Sequence, residues 1–78
     1  MVSPAQLRTL ALLSQGAATR HYYPKRSGDY TWVHPSAPKP ITPTLHRLFV
    51  KGLATVCEMD KNRAVITPRG QQVLRMAA

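Results

Sequence analysis

Thr44, Arg47 and Lys51 stand three and four residues apart, so on an α-helix they fall on one face, with His46 and Val50 flanking them. A hydroxyl, a guanidinium and an ammonium in one stripe hold no acid–base pair and no activated nucleophile. They suit an anionic lattice instead: arginine can pair with the edge of a guanine, lysine with a phosphate. Lys61 and Arg63, further along the chain, would then hold the neighbouring backbone. The competing reading of this face is an ordinary solvated helix surface.

A second constellation gathers Tyr22, Tyr23, Tyr30 and Trp32, with Arg20, Lys25 and Arg26 interleaved. Aromatic and cationic groups together suit stacking on bases or cation–π contact. The same mixture suits a protein interface. A third alternative buries Tyr22, Trp32 and Val33 against the first helix. Trp32 fits that core role, whereas Tyr23, Lys25 and Arg26 fit contact with a partner.

Other chemistry finds little support. His21, His34, His46 and Cys57 lack the close ligand pairs of a structural zinc site. His21 and His34 could meet across a hairpin, but two ligands do not make a site. Asp29 and Asp60 fall in turn-forming stretches and Glu58 in a strand-like run, so no carboxylate pair or base-activated nucleophile assembles. Gly28 and Gly52 are explained by a turn and a helix stop. The expectation is binding without catalytic residues, metal or cofactor.

The elements that must position these side chains can be read from punctuation. Ser3-Pro4, Thr42-Pro43 and Thr67-Pro68 each place a capping hydroxyl before a proline at the first helical position. The first helix should run from Pro4 to Gln15, with Ser3 and Gln6 at capping-box spacing and Gly16 as its stop. Residues 20–23 and 30–34 are aromatic and β-branched around Ser27-Gly28-Asp29, which predicts a hairpin limited by Pro24. Pro35 to Pro40 is an extended connector. The second helix should span Pro43 to Lys51 and end at Gly52, burying Leu45, Leu48 and Phe49. Leu53–Glu58 and Arg63–Ile66 predict a second hairpin around Asp60-Lys61-Asn62. A last helix from Thr67-Pro68 should bury Val73 and Leu74.

The order is α-β-β-α-β-β-α in a single compact α+β domain over residues 1–78. Eleven Lys and Arg against three acidic residues give a net charge of +8, which favours a polyanionic partner. One cysteine, Cys57, rules out an internal disulfide and reads as a buried structural thiol. Leu10 to Leu13 is too short an apolar run for a secretory signal, and nothing approaches a membrane span. A reducing cytoplasm is the expected setting, with the inner surface of a virion as the alternative.

The run Thr44-Leu45-His46-Arg47-Leu48-Phe49-Val50-Lys51-Gly52-Leu53 resembles the recognition helix of a winged helix-turn-helix domain with its "KGL" exit into a strand. Cys57 to Ile66 then resembles the wing. Thr67 to Leu74 is similar to the "TPxGxxxL" helix after the wing in MarR-like and PadR-like regulators. The first half departs from that pattern, because a hairpin and prolines stand where a helix should precede the recognition helix. Across the whole chain the arrangement resembles the small YjhX-like family, whose "QxRTLxxLxxG" opening corresponds to Gln6 through Gly16. Members of that family are described as toxins acting on topoisomerase.

These resemblances imply a winged-helix-like DNA-binding protein, a transcriptional regulator of bacterial or phage origin, reading DNA through Thr44, His46, Arg47 and Lys51. Lys61 and Arg63 on the wing would assist. A homodimer is compatible, since one recognition helix covers a short half-site. The alternative is an inhibitor or toxin that uses the same scaffold to occupy a host protein.

Overall fold

The computed structural model describes residues 2–25 and 28–77. The predicted order is found: α1 (Pro4–Gln15), β1 (Ala18–Tyr22), β2 (Tyr30–Val33), α2 (Thr42–Val50), β3 (Ala54–Val56), β4 (Arg63–Ile66) and α3 (Pro68–Ala77). At the start of α1 the Ser3 hydroxyl accepts from the Gln6 N–H at 3.2 Å, and the Gln6 side chain accepts from the Ser3 N–H at 3.2 Å. That capping box is fully formed.

The four strands make one antiparallel sheet in the order β2-β1-β4-β3, so β1 and β4 are central. Alternation sends Ala18, Trp32, Ala54 and Ala64 to one face, where they are buried with Leu10, Leu13, Ile41, Leu45, Leu48 and Leu53. Three of the four buried strand residues are alanines, which let the helices lie close to the sheet. The opposite face carries Thr19, His21, Thr31, Val33, Thr55, Arg63 and Val65, and no described helix covers it. Both hairpin tips lie at the same end of the sheet, because β1 runs antiparallel to both β2 and β4.

Several expectations are corrected. Thr42 does not cap α2: the N-cap is Ile41, with no side-chain cap bond. The Thr42 hydroxyl instead accepts from the Trp32 N–H at 2.8 Å and lies 3.2 Å from the Thr31 hydroxyl. Together with Ile41 N–H donating to the Trp32 carbonyl at 2.9 Å, it closes the outer edge of β2. The edge strand took the hydroxyl that the helix end was expected to use. Replacing Thr42 with Val, which keeps the shape, should cost about 1–3 kcal/mol because the Trp32 N–H loses its acceptor. Urea unfolding checks this, and Thr42→Ser should retain most of the stability.

The helix α2 ends at Val50 rather than Lys51, and β3 ends at Val56, so Cys57 lies just beyond the strand and is half-buried. Trp32 is core, as expected, but its ring meets Phe49 of α2 at 5.8 Å and 74° rather than resting on α1 alone. Tyr22 is not core; it is 51% exposed. His21 and His34 do not meet, since His21 pairs with Thr31 in the register. His34 is buried, accepts from the Ser36 N–H on Nδ1 at 3.1 Å and stands 3.1 Å from the Gly16 carbonyl through Nε2. With Nδ1 accepting, Nε2 carries the proton and donates. The ring ties the end of α1 to the start of the proline connector.

Candidate nucleic-acid interface

The outward stripe of α2 follows from what its inward stripe buries. Leu45 and Leu48 are fully buried and Phe49 packs against that core, which turns Pro43, Arg47 and Val50 outward, with Lys51 just past the helix end. Pro43, His46, Arg47, Val50 and Lys51 line a shallow open groove of about 470 Å³ against Gln6 of α1. Thr44, half-buried, faces a smaller depression with Ser3, Ala5, Gln6 and Arg47. The first turn of α1 thus forms one wall of the α2 face, a contribution the sequence motif disclosed only as a capping box. Lys51 Nζ donates to Gln6 Oε1 at 2.8 Å, which fixes the ammonium at that wall.

His46 lines the groove and is also held from the side of the sheet. Its Nε2 lies 3.1 Å from the Tyr30 hydroxyl, and its ring meets Tyr30 and Phe49 at 5.8 and 6.1 Å. It thus braces α2 against β2. Of the four residues assigned to this face, Arg47 and Lys51 are the exposed ones.

The aromatic-basic hairpin is organised from within. Arg20 projects to the helix-bearing side of the sheet, its guanidinium carbon 5.1, 5.5 and 5.4 Å from the ring centroids of Tyr22, Tyr30 and Trp32. Its Nε and Nη2 donate to Asn62 Oδ1 at 3.3 Å each, and its backbone N–H donates to the Asn62 carbonyl at 2.8 Å. Arg20 therefore joins the two hairpin tips. Tyr23 and Lys25 are exposed at the first tip. Arg26 lies outside the described residues.

At the second tip Asp60 builds the turn, its carboxylate accepting from the Asn62 N–H at 2.9 Å and its carbonyl from the Arg63 N–H at 3.1 Å. Lys61 and Arg63 are exposed there. Arg63 neighbours the buried Ala64 and so points to the uncovered face of the sheet, away from α2. The structure brings Arg47 and Lys51 together, and does not bring Arg63 to them. Compared with known proteins, the chain matches no family model, no curated protein and no solved structure.

Charge follows the same division. The helices and connector hold Arg8, Lys39, Arg47, Lys51, Arg69 and Arg75, and no acidic residue. All three acids lie in the hairpins, and in the second hairpin Glu58 and Asp60 offset Lys61 and Arg63. Opposite charges within about a Debye length (~8 Å at physiological salt) cancel in the field a partner feels. The larger share of the positive charge therefore lies in the helical layer. Among the described residues no three His, Cys, Asp or Glu side chains gather, and no helix is long and apolar enough to cross a membrane.

Proposed function

We propose that this chain is a small winged-helix-like nucleic-acid-binding protein that lays the outward face of α2 into the major groove of duplex DNA. The observation that carries the reading is the exposure of Arg47 and Lys51 on one α2 stripe within a helical layer free of acids. Arg47 would address a guanine edge, Lys51 a phosphate, and the exposed Val50 between them a thymine methyl. The succession of α2, a two-stranded hairpin and α3 supports the winged-helix likeness. On this reading the protein acts in the cytoplasm by binding, as a regulator of transcription.

Affinity comes mainly from phosphate neutralisation, so binding to duplex DNA should weaken steeply with salt, by about 0.9 log units per phosphate for each log unit of salt. Replacing Arg47 and Lys51 together with Ala should lower affinity about 10- to 100-fold and flatten that slope. Fluorescence anisotropy at several salt concentrations measures both quantities. An unchanged titration in the double variant would sink the assignment.

A second reading has its own observation. Tyr22, Tyr23 and Met59 are 51%, 46% and 93% exposed. The hairpin end that carries them is nearer to neutral than the helical layer, as suits a protein contact. A host protein held there would remain bound after nuclease treatment, whereas partners bridged by nucleic acid would be lost.

A further inference from the structure

The start of α3 is held against the exit of α2. Thr67 donates its hydroxyl to the Gly52 carbonyl at 2.8 Å and accepts from the Gly70 N–H at 3.1 Å, while its own N–H donates to the Leu53 carbonyl at 3.1 Å. One threonine thus caps α3 and fastens it to the exit of α2. Gly52 has φ of 75°, a conformation that side chains rarely adopt, and Arg69 Nη1 lies 3.9 Å from where its Cβ would stand. The Arg69 guanidinium thus lies beside the end of α2, next to the residue that follows Lys51. Arg69, Gln72 and Arg75 then line one open depression along α3 with Pro68 and Met76. Arg69 and Arg75 are both exposed, and the helical layer that carries them holds no acid.

We propose that a polyanion bound on α2 continues onto α3, where Arg69 in the first turn and Arg75 in the last neutralise its phosphates and Gln72 donates to a phosphate oxygen, rather than crossing the β3–β4 hairpin. This rests on the nucleic-acid reading of α2 and specifies the path. Four cations, Arg47, Lys51, Arg69 and Arg75, lie on elements that hold no Asp or Glu. Lys61 and Arg63 sit beside Glu58 and Asp60, and Arg63 points to the other face of the sheet. A phosphate brought to that hairpin would meet two negative charges for two positive ones.

The test uses the full chain, a fluorescent mixed-sequence DNA duplex and two charge-matched variants, Arg69→Gln/Arg75→Gln and Lys61→Gln/Arg63→Gln. Each removes two positive charges from an exposed site, so a general loss of net charge acts on both alike. The α3 variant should flatten the log–log salt slope by about 1.8, two phosphates' worth, while the hairpin variant keeps the wild-type slope. A wild-type slope in the α3 variant, or equal flattening in both, overturns the α3 path and leaves the α2 reading standing. Failure of the unmodified protein to bind duplex DNA at low salt overturns both. Matching far-UV circular dichroism of the two variants excludes unfolding as the source of a difference.

Discussion

Trp32→Ala should be the most damaging single truncation in the molecule, costing about 3–5 kcal/mol. A domain of this length has roughly 4–12 kcal/mol of total stability, so the variant stands near the edge of folding. Trp32 is 1% exposed, the largest of the fully buried side chains. Its ring holds Phe49 edge-on at 5.8 Å and lies under the Arg20 guanidinium at 5.4 Å, so truncation loosens α2 on one side and the hairpin clasp on the other. The backbone of Trp32 keeps its bonds to Ile41 and Thr42, which limits how far the cavity can collapse. Chemical denaturation followed by far-UV circular dichroism is the measurement, since the variant loses the only tryptophan. A midpoint shift worth less than about 1 kcal/mol would mean that the indole does not organise this core. Trp32→Phe should recover part of the loss by restoring an aromatic contact to Phe49.

Local signals in this sequence carried local structure well. Ser3 and Gln6 announced the capping box that forms, the Leu45–Leu48–Phe49 spacing oriented α2, and β1 ends on the N-terminal side of Pro24, one residue short of the expected Tyr23. Thr42 shows where such reading ends. Its neighbour Pro43 gives it the same signature as Ser3-Pro4, but the Trp32 N–H on a strand edge, ten residues earlier in sequence, holds its hydroxyl. Arg20 is similar: its basic-aromatic neighbourhood suggested an outside partner, and Asn62, far along the chain, occupies its donors instead. The pairing of β1 with β4, which creates that contact, leaves no trace in periodicity. For the candidate interface, helical spacing told which α2 side chains are exposed, Arg47 and Lys51, but nothing in the spacing says that Tyr30 lies within reach of the His46 ring. The direction of Arg63 was legible in the strand pattern. Strand alternation next to an apolar Ala64 already turns it away from the helices.

Gly70→Ala should destabilise the protein by about 2–3 kcal/mol, against the direction that helix propensity alone predicts. In an exposed helix interior the same exchange is worth about 1 kcal/mol in favour of alanine. Gly70 is in the first turn of α3 but is buried, and a Cβ there would press on the Leu53 carbonyl oxygen, with Ile66 Cγ1 at 2.8 Å and the Leu53 carbonyl carbon at 3.1 Å. Ile66 can turn aside. The Leu53 carbonyl cannot, because it already accepts from the Thr67 N–H and Leu53 N–H donates to the Leu48 carbonyl at the end of α2. Relief therefore requires α3 to move off the exit of α2, which breaks the Thr67 contacts and carries Arg69 away from Gly52. Gly16 supplies the comparison: its φ of 174° is open to any residue and nothing lies within 4 Å of a Cβ there, so Gly16→Ala should be neutral or slightly stabilising. The urea midpoint of Gly70→Ala should fall well below the wild type, while that of Gly16→Ala stays at or slightly above it. If Gly70→Ala instead matched Gly16→Ala, α3 would not be seated on Leu53, and the surface shared by Lys51 and Arg69 would lose its physical basis.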